Sequence, residues 1–588
     1  MNKLLQHKLW WSFIAALFSI VIIISSFIHY RIDLTQEKRF TLSNSTKKLL
    51  QNVDTIINVK VFLTGDLPAD YKKLSLATQD LLREFTDLSN NNIKVSFEAP
   101  GEGLIDSVKV QLYDSLSRAG VVFERNENIS ESDNKSTNQL IIPSALVYYK
   151  QQPPMAIDLR SSRTVFKNFN VVNEEPQPDK EATRNAAEAL LEFKFANAID
   201  KLTRTYVPSV AYCVGNGEPT DLTVNDLGES LRNEYRLGVF DLKRGYPNPD
   251  EINALLVVKP TQTFTDEDKL KIDQYIMHGG KVLWFVDKLY AELDSLMRSR
   301  ADFIAYDRNL NIDDILFKYG VRINGNLLQD LNCSKIPVVT GYNPDNSPRM
   351  QRIPFPYYPF LGATNNNPIS KNLDRVLSVF PSSIDTVKAA GITKTVLLAS
   401  DTNSRTLSSP ALVSLNSVRT DEDFNAMTQN HITVAVLLEG KFNSLFANRL
   451  DASAQDSVAR SLNTGAASGE PKKFERQSLV NTKQIVVSDA DVVTNAVSKT
   501  TGPMPMGELP LENYRFANRE FFLNSVDYLV SNSGIFESRN KDFVLRLLDK
   551  KKVAEQRTMW QMINIVLPIA IIIFFGFVFQ FVRKQKYA

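Results

Sequence analysis

The sequence predicts an α/β protein whose folded body is held between two membrane-spanning helices. Leu9 to Ile28 (LWWSFIAALFSIVIIISSFI) and Ile563 to Val582 (INIVLPIAIIIFFGFVFQFV) are long apolar runs without a charge. About 20 helical residues at ~1.5 Å each cover the ~30 Å hydrocarbon core of a bilayer. Between the runs, short apolar stretches rich in β-branched residues alternate with helical periodicities, the pattern of strands joined by crossover helices.

The first run is longer than the apolar part of a signal peptide and no A-x-A-like site comes after it, which favours an uncleaved anchor over a cleaved leader. The second contains Asn564, Pro568, Gly576 and Gln580, which spanning helices tolerate. Both tails are basic, residues 1–8 through Lys3 and Lys8 and residues 583–588 through Arg583, Lys584 and Lys586. The body also places Arg31, Lys38, Arg39, Lys550, Lys551, Lys552 and Arg557 near the spans, so the positive-inside rule does not decide the orientation. An N-terminal anchor favours export of the polypeptide on its C-terminal side. The reading adopted is two cytoplasmic tails and an exported body.

Composition limits the body's chemistry. A net charge of +2 over 588 residues leaves no bulk field for nucleic acid. Hydrophobic residues at 43% and charged residues at 23% suit a folded body of more than one domain. Cys213 and Cys333 form no CxxC, and Cys213 sits in an apolar run as a small core residue. A Cys213–Cys333 bridge stays open as an alternative. No HExxH, zinc-ligand cluster or GxxxxGK[ST] phosphate loop is present, so any nucleotide hydrolysis belongs to a partner. His278, ahead of Gly279 and Gly280, reads as a helix C-terminus.

The first α/β domain is expected over residues 29–204. Ser43 or Ser45 caps a short helix through Leu50. Ile56 to Leu63 is a strand, and Leu74, Ala77, Leu81, Phe85 and Leu88 mark the buried face of a helix. Ile93 to Phe97 is a strand, Ser107 to Arg118 a helix ended by Gly120, and Val121 to Glu124 a strand. Asn126 to Asn138 reads as a solvent loop, Leu146 to Lys150 with Met155 to Leu159 as a hairpin, and Glu181 to Arg204 as a long helix.

The second α/β domain is expected over residues 205–535, interrupted by an insertion at about 291–480. Ser209 to Val214 is a buried strand and Thr223 to Tyr235 a helix. Leu255 to Val258 is a further apolar run, Asp266 to Gly279 a helix, and Lys281 to Val286 a strand. Such alternation predicts a parallel, doubly wound sheet, which binds ligands at the carboxyl ends of its strands. Gly215, Asn216, Gly217 and Glu218 lie at one such end, and Asp489 and Asp491 come directly after the strand Thr482 to Ser488. These six residues are the candidate recognition loop; the competing reading of the glycines is a tight turn. A lone Asp-x-Asp is too weak to carry a metal site, so no metal, cofactor or catalytic residue is assigned. Within the insertion, Val338 to Pro368, rich in Pro, Asn and Tyr (PFPYYPF), reads as an irregular surface with exposed aromatics that either binds a partner or packs locally, and Asp451 to Gln477 as a mobile loop. Asn518 to Val530 is a helix. Residues 536–562 read as a basic amphipathic connection to the second span.

The element order of the first domain resembles a thioredoxin-like layout without its CxxC, so no redox role is implied. The second is similar to the class I glutamine-amidotransferase-like fold. The elbow here reads Gly-Asn-Gly, Cys213 lies inside the strand and no suitable His comes after it, which leaves acyl transfer unsupported. Several phrases recur in a fixed order: RIDLTQEKRFTL (31–42), Gly65 to Pro68, Gly215 to Glu218, GGKVLWFVD (279–287), VSDADVVTN (487–495) and NREFFLNSVDYL (518–529). With the two flanking spans they resemble the gliding-motility-associated auxiliary proteins of bacterial ABC transporters, the GldG type. That resemblance implies a non-catalytic accessory subunit in the cytoplasmic membrane of Bacteroidetes, with a large periplasmic domain. It implies as partners an ABC permease, a separate P-loop ATPase, the lipid bilayer, and gliding or envelope components. Two alternatives stay open, an envelope scaffold independent of transport and an envelope hydrolase with an amidotransferase-like pocket.

Overall fold

A computed structural model describes residues 16, 18–20, 41–129, 136–167, 177–292, 302–415, 420–463, 471–500, 502–509, 514–531, 534–540 and 550–587. Most of the expected first span lies outside these. The chain divides into two compact units, Met1–Lys541 and Asp542–Ala588.

The larger unit is mixed α/β. Its first helix, α1 (Asn44–Gln51), is capped by Ser43, whose side chain accepts the Thr46 N–H. Strand β1 (Ile57–Val61), helix α2 (Ala69–Leu88) and strand β2 (Ile93–Phe97) make a parallel pair with its crossover. Helix α3 (Asp106–Arg118) comes next, then β3 (Glu124–Ile129), β4 (Ser136–Ile141), β5 (Ser144–Tyr149) and β6 (Met155–Asp158). The sheet order is β2-β1-β5-β6, with β5 antiparallel to β1 and to β6. On α2 the fully buried positions are Leu74, Thr78, Leu82 and Phe85, while Ala77, Leu81 and Leu88 flank them. The apolar spacing located the helix, but its buried stripe is centred one position away. Helix α4 (Lys180–Thr203), capped by Asp179, packs against α2 over the same core.

Residues 126 to 138 depart from expectation. The described parts of this polar stretch belong to β3 and β4, which pair as an antiparallel hairpin from Glu124 opposite Ile141 to Ile129 opposite Ser136. The ladder is a backbone interaction, and polar side chains do not prevent it. Val121 to Phe123, expected as a strand, lies ahead of that ladder without regular structure.

The second sheet is built from β7 (Ser209–Val214), α5 (Asn225–Arg232), β8 (Arg236–Asp241), β9 (Ala254–Val258), α6 (Asp266–Met277) and β10 (Val282–Phe285). Its later strands are β11 (Cys333–Tyr342), β12 (Pro348–Ala363), β13 (Ile392–Ala399), β14 (Thr433–Gly440) and β15 (Thr482–Val487). The path is β8-β7-β9-β10-β15-β14-β13-β12-β11 in a ten-stranded sheet, with Val376–Leu377 paired to β12 off that path. The first five strands are mutually parallel and the remainder antiparallel. Along β9, Leu255 and Val257 face one core with α6, while Ala254, Leu256 and Val258 face the other. That second core holds α5 and α9 (Asn518–Val530) through Leu227, Leu231, Phe521, Phe522 and Val526. Side-chain alternation with a helix layer on each face explains why these strands read as continuous apolar runs.

Two further expectations are corrected. Phe355, Tyr357 and Tyr358 are buried, not exposed; they pack around Phe380, with Phe355 to Tyr358 centroids 5.1 Å apart. Strand pairing of β12 turns this Pro-rich run into a core strand. Asp451 to Gln477 contains helix α8 (Ala452–Leu462), N-capped by Asp451. Alanine is the best helix former, so a stretch poor in large apolar residues still coils once capped. α7 (Asp313–Tyr319) precedes β11 and closes on Gly320. Cys213 and Cys333 are both buried, and no disulfide joins them.

In the smaller unit, α10 (Lys550–Tyr587) runs without a break. The expected basic connection is therefore helical from Lys550 onward and continuous with the apolar run; residues 541–549 lie outside the described set. Its segment Glu555–Gln585 is, among the described residues, the one helix long and apolar enough to cross a membrane, and none of it is buried.

Candidate functional site

Four adjacent parallel strands, β7, β9, β10 and β15, bring their carboxyl ends to one edge of the sheet. The chain leaves β7 for β8 on one side and returns to β9 on the other, so the order reverses between β7 and β9. Open α/β sheets leave a crevice at such a reversal.

The Gly215–Glu218 segment occupies that point. Gly215 and Gly217 hold φ of 123° and 79°, the left-handed region where a side chain is strained. Their turn folds the Glu218 carboxylate back onto its own loop, where Oε2 accepts the Asn216 N–H at 2.7 Å. The Asn216 carbonyl accepts the N–H groups of Thr261 (3.0 Å) and Gln262 (2.8 Å) from the loop after β9. Asn216 and Glu218 are buried. Burial pushes the Glu218 carboxyl above the usual range, and the loop's own N–H donors and Lys243 oppose the shift only in part. Asn216 Nδ2 lies 3.3 Å from Asp268 Oδ2, which also takes the Lys243 ammonium at 2.5 Å. Asp268 is there because it closes the capping box of α6 with Thr265. Burial would raise its carboxyl, but Lys243 and the Thr265 donors outweigh that and lower it.

Asp489 and Asp491 meet a second group at the same edge. Lys259, the first residue past β9, stands at φ 48° and sends its ammonium to Asp491 Oδ1 at 2.6 Å and Asp287 Oδ2 at 3.5 Å. Asp287, just past β10, accepts the Ala490 N–H at 2.7 Å. Asp489, fully buried, accepts the Ser378 hydroxyl, the Val379 N–H at 2.6 Å and the Asp491 N–H at 2.8 Å. Burial raises the Asp287 carboxyl, and Lys259 counters the rise. Asp489 is raised well above the usual range by burial and then by its two acidic neighbours. Burial would lower Lys259, but Asp491 and Asp287 more than offset it and raise the ammonium's pKa. Oxygens of Asp287, Asp489 and Asp491 lie within 4.8 Å of one another, a spacing that can hold a metal ion. The Lys259 ammonium already supplies positive charge at that place, and it ties three strand ends together.

The two groups are linked through the loop after β9, since Lys259 serves one and Thr261 and Gln262 the other. Sequence reading missed Lys259, Asp287, Lys243 and Asp268. The signal for the first two was available: each is the first or second polar-side position after an apolar strand run.

More than half of the chain, residues 207–525, matches the family described as an ABC-type uncharacterized transport system. The chain belongs to this family. It is accordingly an auxiliary protein of an ABC-type transport system. Residues 36–148 match a domain of unknown function, DUF7088. No curated protein matches the chain. Among solved structures it is similar to the "mmIFT52 N-terminal domain" at 11% identity and a TM-score of 0.29, covering 55% of this chain and 98% of that one. Another is the exo-beta-1,4-mannosidase Op5Man5 from Opitutaceae bacterium strain TAV5, at 11% identity and a TM-score of 0.14, covering 53% and 48%. Likenesses this low carry no argument about the ABC-type auxiliary chain's activity.

Proposed function

We propose that this chain is a non-catalytic accessory subunit of a bacterial ABC transporter complex linked to gliding motility. Its exported, periplasmic body recognises substrate or a partner from a membrane tether. The observation that carries the reading is the family match over residues 207–525, ahead of an apolar helix at Glu555–Gln585. The uncharged run Leu9 to Ile28 supports a second tether, with both tails in the cytoplasm. With no GxxxxGK[ST] in the chain, ATP hydrolysis falls to a separate P-loop subunit, and the apolar helices pack with a permease. Tethering raises the body's effective concentration over its membrane neighbours, so weak intrinsic binding suffices.

The strand order β2-β1-β5-β6 supports a thioredoxin-like first domain, and the reversal between β7 and β9 supports an amidotransferase-like second one. In that reading the six residues of the candidate recognition loop shape a binding edge and not a reaction centre. Purification of the full-length protein from native membranes in mild detergent, with mass spectrometry of the co-purifying proteins, tests the reading. A multi-span permease and a P-loop ATPase in constant ratio are expected. An intact, folded protein that carries neither would overturn it.

A further inference from the structure

The loop after β7, at the reversal between β7 and β9, carries two buried acceptors with nothing donating to them among the described residues, Asn216 Oδ1 and Glu218 Oε1. Their residues are 0% and 7% exposed, and a buried acceptor left unpaired is destabilising. Beside them Asp268 Oδ2 holds the only ammonium in contact with this group among the described residues, that of Lys243. The lysine reaches in from outside: its side chain is 44% exposed while Asp268 is 2% exposed. Side chains crowd the loop at both glycines. Lys243 Cγ lies 3.2 Å from where a β-carbon on Gly215 would stand, and Gln262 Cγ lies 3.0 Å from that of Gly217. Any β-carbon at Gly217 would also collide with Thr261 Oγ1, so this close packing requires glycine there. The Lys243 ammonium sits on Asp268 Oδ2 alone, while Glu218 and Asn216 beside it each keep an oxygen without a donor, so the group offers more acceptors than that ammonium uses.

We propose that the crevice at this reversal binds a ligand's ammonium group, which replaces the Lys243 ammonium on Asp268 and takes Asn216 Oδ1 and Glu218 Oε1 as its further acceptors. Lys243 is then a built-in competitor that keeps the site closed until a ligand displaces it. A primary ammonium suits the set because it has three donors and a single charge. The inference deepens the recognition reading of the Gly215–Glu218 loop and rests on it; the association with a permease and an ATPase is tested separately by co-purification.

The test uses the full-length protein in detergent and its Lys243→Met variant. Thermal unfolding is monitored with methylammonium chloride, Nα-acetyl-lysine amide, sodium chloride or calcium chloride at matched ionic strength. In Lys243→Met, methylammonium is expected to raise the unfolding midpoint saturably by a few degrees, as any ligand of the native state does, and sodium is not. The wild type needs a higher concentration for the same shift, and adding Glu218→Gln to Lys243→Met abolishes it. A larger shift with Nα-acetyl-lysine amide than with methylammonium assigns the ammonium to a protein lysine, and an equal shift assigns it to a small amine; both support the site. Equal responses to sodium and methylammonium, a response to calcium alone, or a shift that survives Glu218→Gln would overturn it and leave an ordered water on the two acceptors.

Discussion

At the scale of single residues, Lys259 carries the most consequence. It is nearly buried between Asp287 and Asp491, with Asp489 behind them. Lys259→Met leaves Asp287 and Asp491 without their cation, which costs about 3–5 kcal/mol when a buried pair is broken from one side. The pH dependence has a definite sign. The Asp287 and Asp489 carboxyls are raised in the folded protein. Such groups bind their protons more tightly when folded, so their contribution is fully present below the unfolded value, ~3.9, and is lost as pH rises through the folded value. Without Lys259 the Asp287 carboxyl is raised further, because Lys259 is what holds it down. The variant's deficit in urea denaturation should therefore be larger at pH 8 than at pH 5; an equal deficit at both would show that the lysine's charge is irrelevant. None of this was legible from Asp-x-Asp alone, because Lys259, Asp287 and Asp489 come from three strand ends distant in sequence. A polar residue directly after each apolar run was the local trace of it.

The elements were legible where burial on both faces leaves an uninterrupted apolar run. SVAYCV, ALLVV, VLWF and TKQIVV all became strands of the second sheet, and Asn518–Val530 is helical with the expected limits. The antiparallel extension was not legible. In β11 and β12 prolines and charged residues interrupt the pattern, and a sixteen-residue strand with four prolines is an edge-type sequence. One glycine shows how tightly that extension is built. Gly440, at φ 142°, ends β14, and a β-carbon there would collide with the Gly391 carbonyl oxygen at the start of β13. Gly440→Ala should destabilise by at least about 2 kcal/mol, from backbone strain and loss of that pairing. Gly65 is the control: its φ is 96° with nothing within 4 Å, so Gly65→Ala should cost only the strain of about 1–2 kcal/mol. Equal losses in chemical denaturation would contradict the close approach at Gly440.

For the whole molecule, the sheets of the larger unit are joined by more than chain connectivity. Lys201, near the end of α4, places its ammonium 2.5 Å from Glu234 and 2.8 Å from Asp527. Tyr235 donates to Asp527 as well, and the Arg204 guanidinium donates to the Glu234 carbonyl. Phe536 packs on Phe193 and Tyr528, adding an apolar seam beside the charges. The body should therefore unfold in one calorimetric transition. Lys201→Met, which strands the buried Asp527 and the partly buried Glu234 carboxylates, should lower stability by about 3–5 kcal/mol and split the transition in two; a single unchanged transition would show that the joint carries no coupling. Composition and spacing announced the α/β character and the apolar run at the C-terminal side, whereas this joint depends on residues more than 300 positions apart and left no pattern in the sequence. The central claim is that the chain works beside a transport machine, and α10 is where it is most directly exposed to test. A photo-crosslinking residue in place of Phe574, whose ring is 65% exposed on that helix, can be activated in intact cells and its adducts identified. Covalent capture of a multi-span permease is the predicted result. Adducts confined to lipid, or to proteins unconnected with any transporter, would contradict the claim.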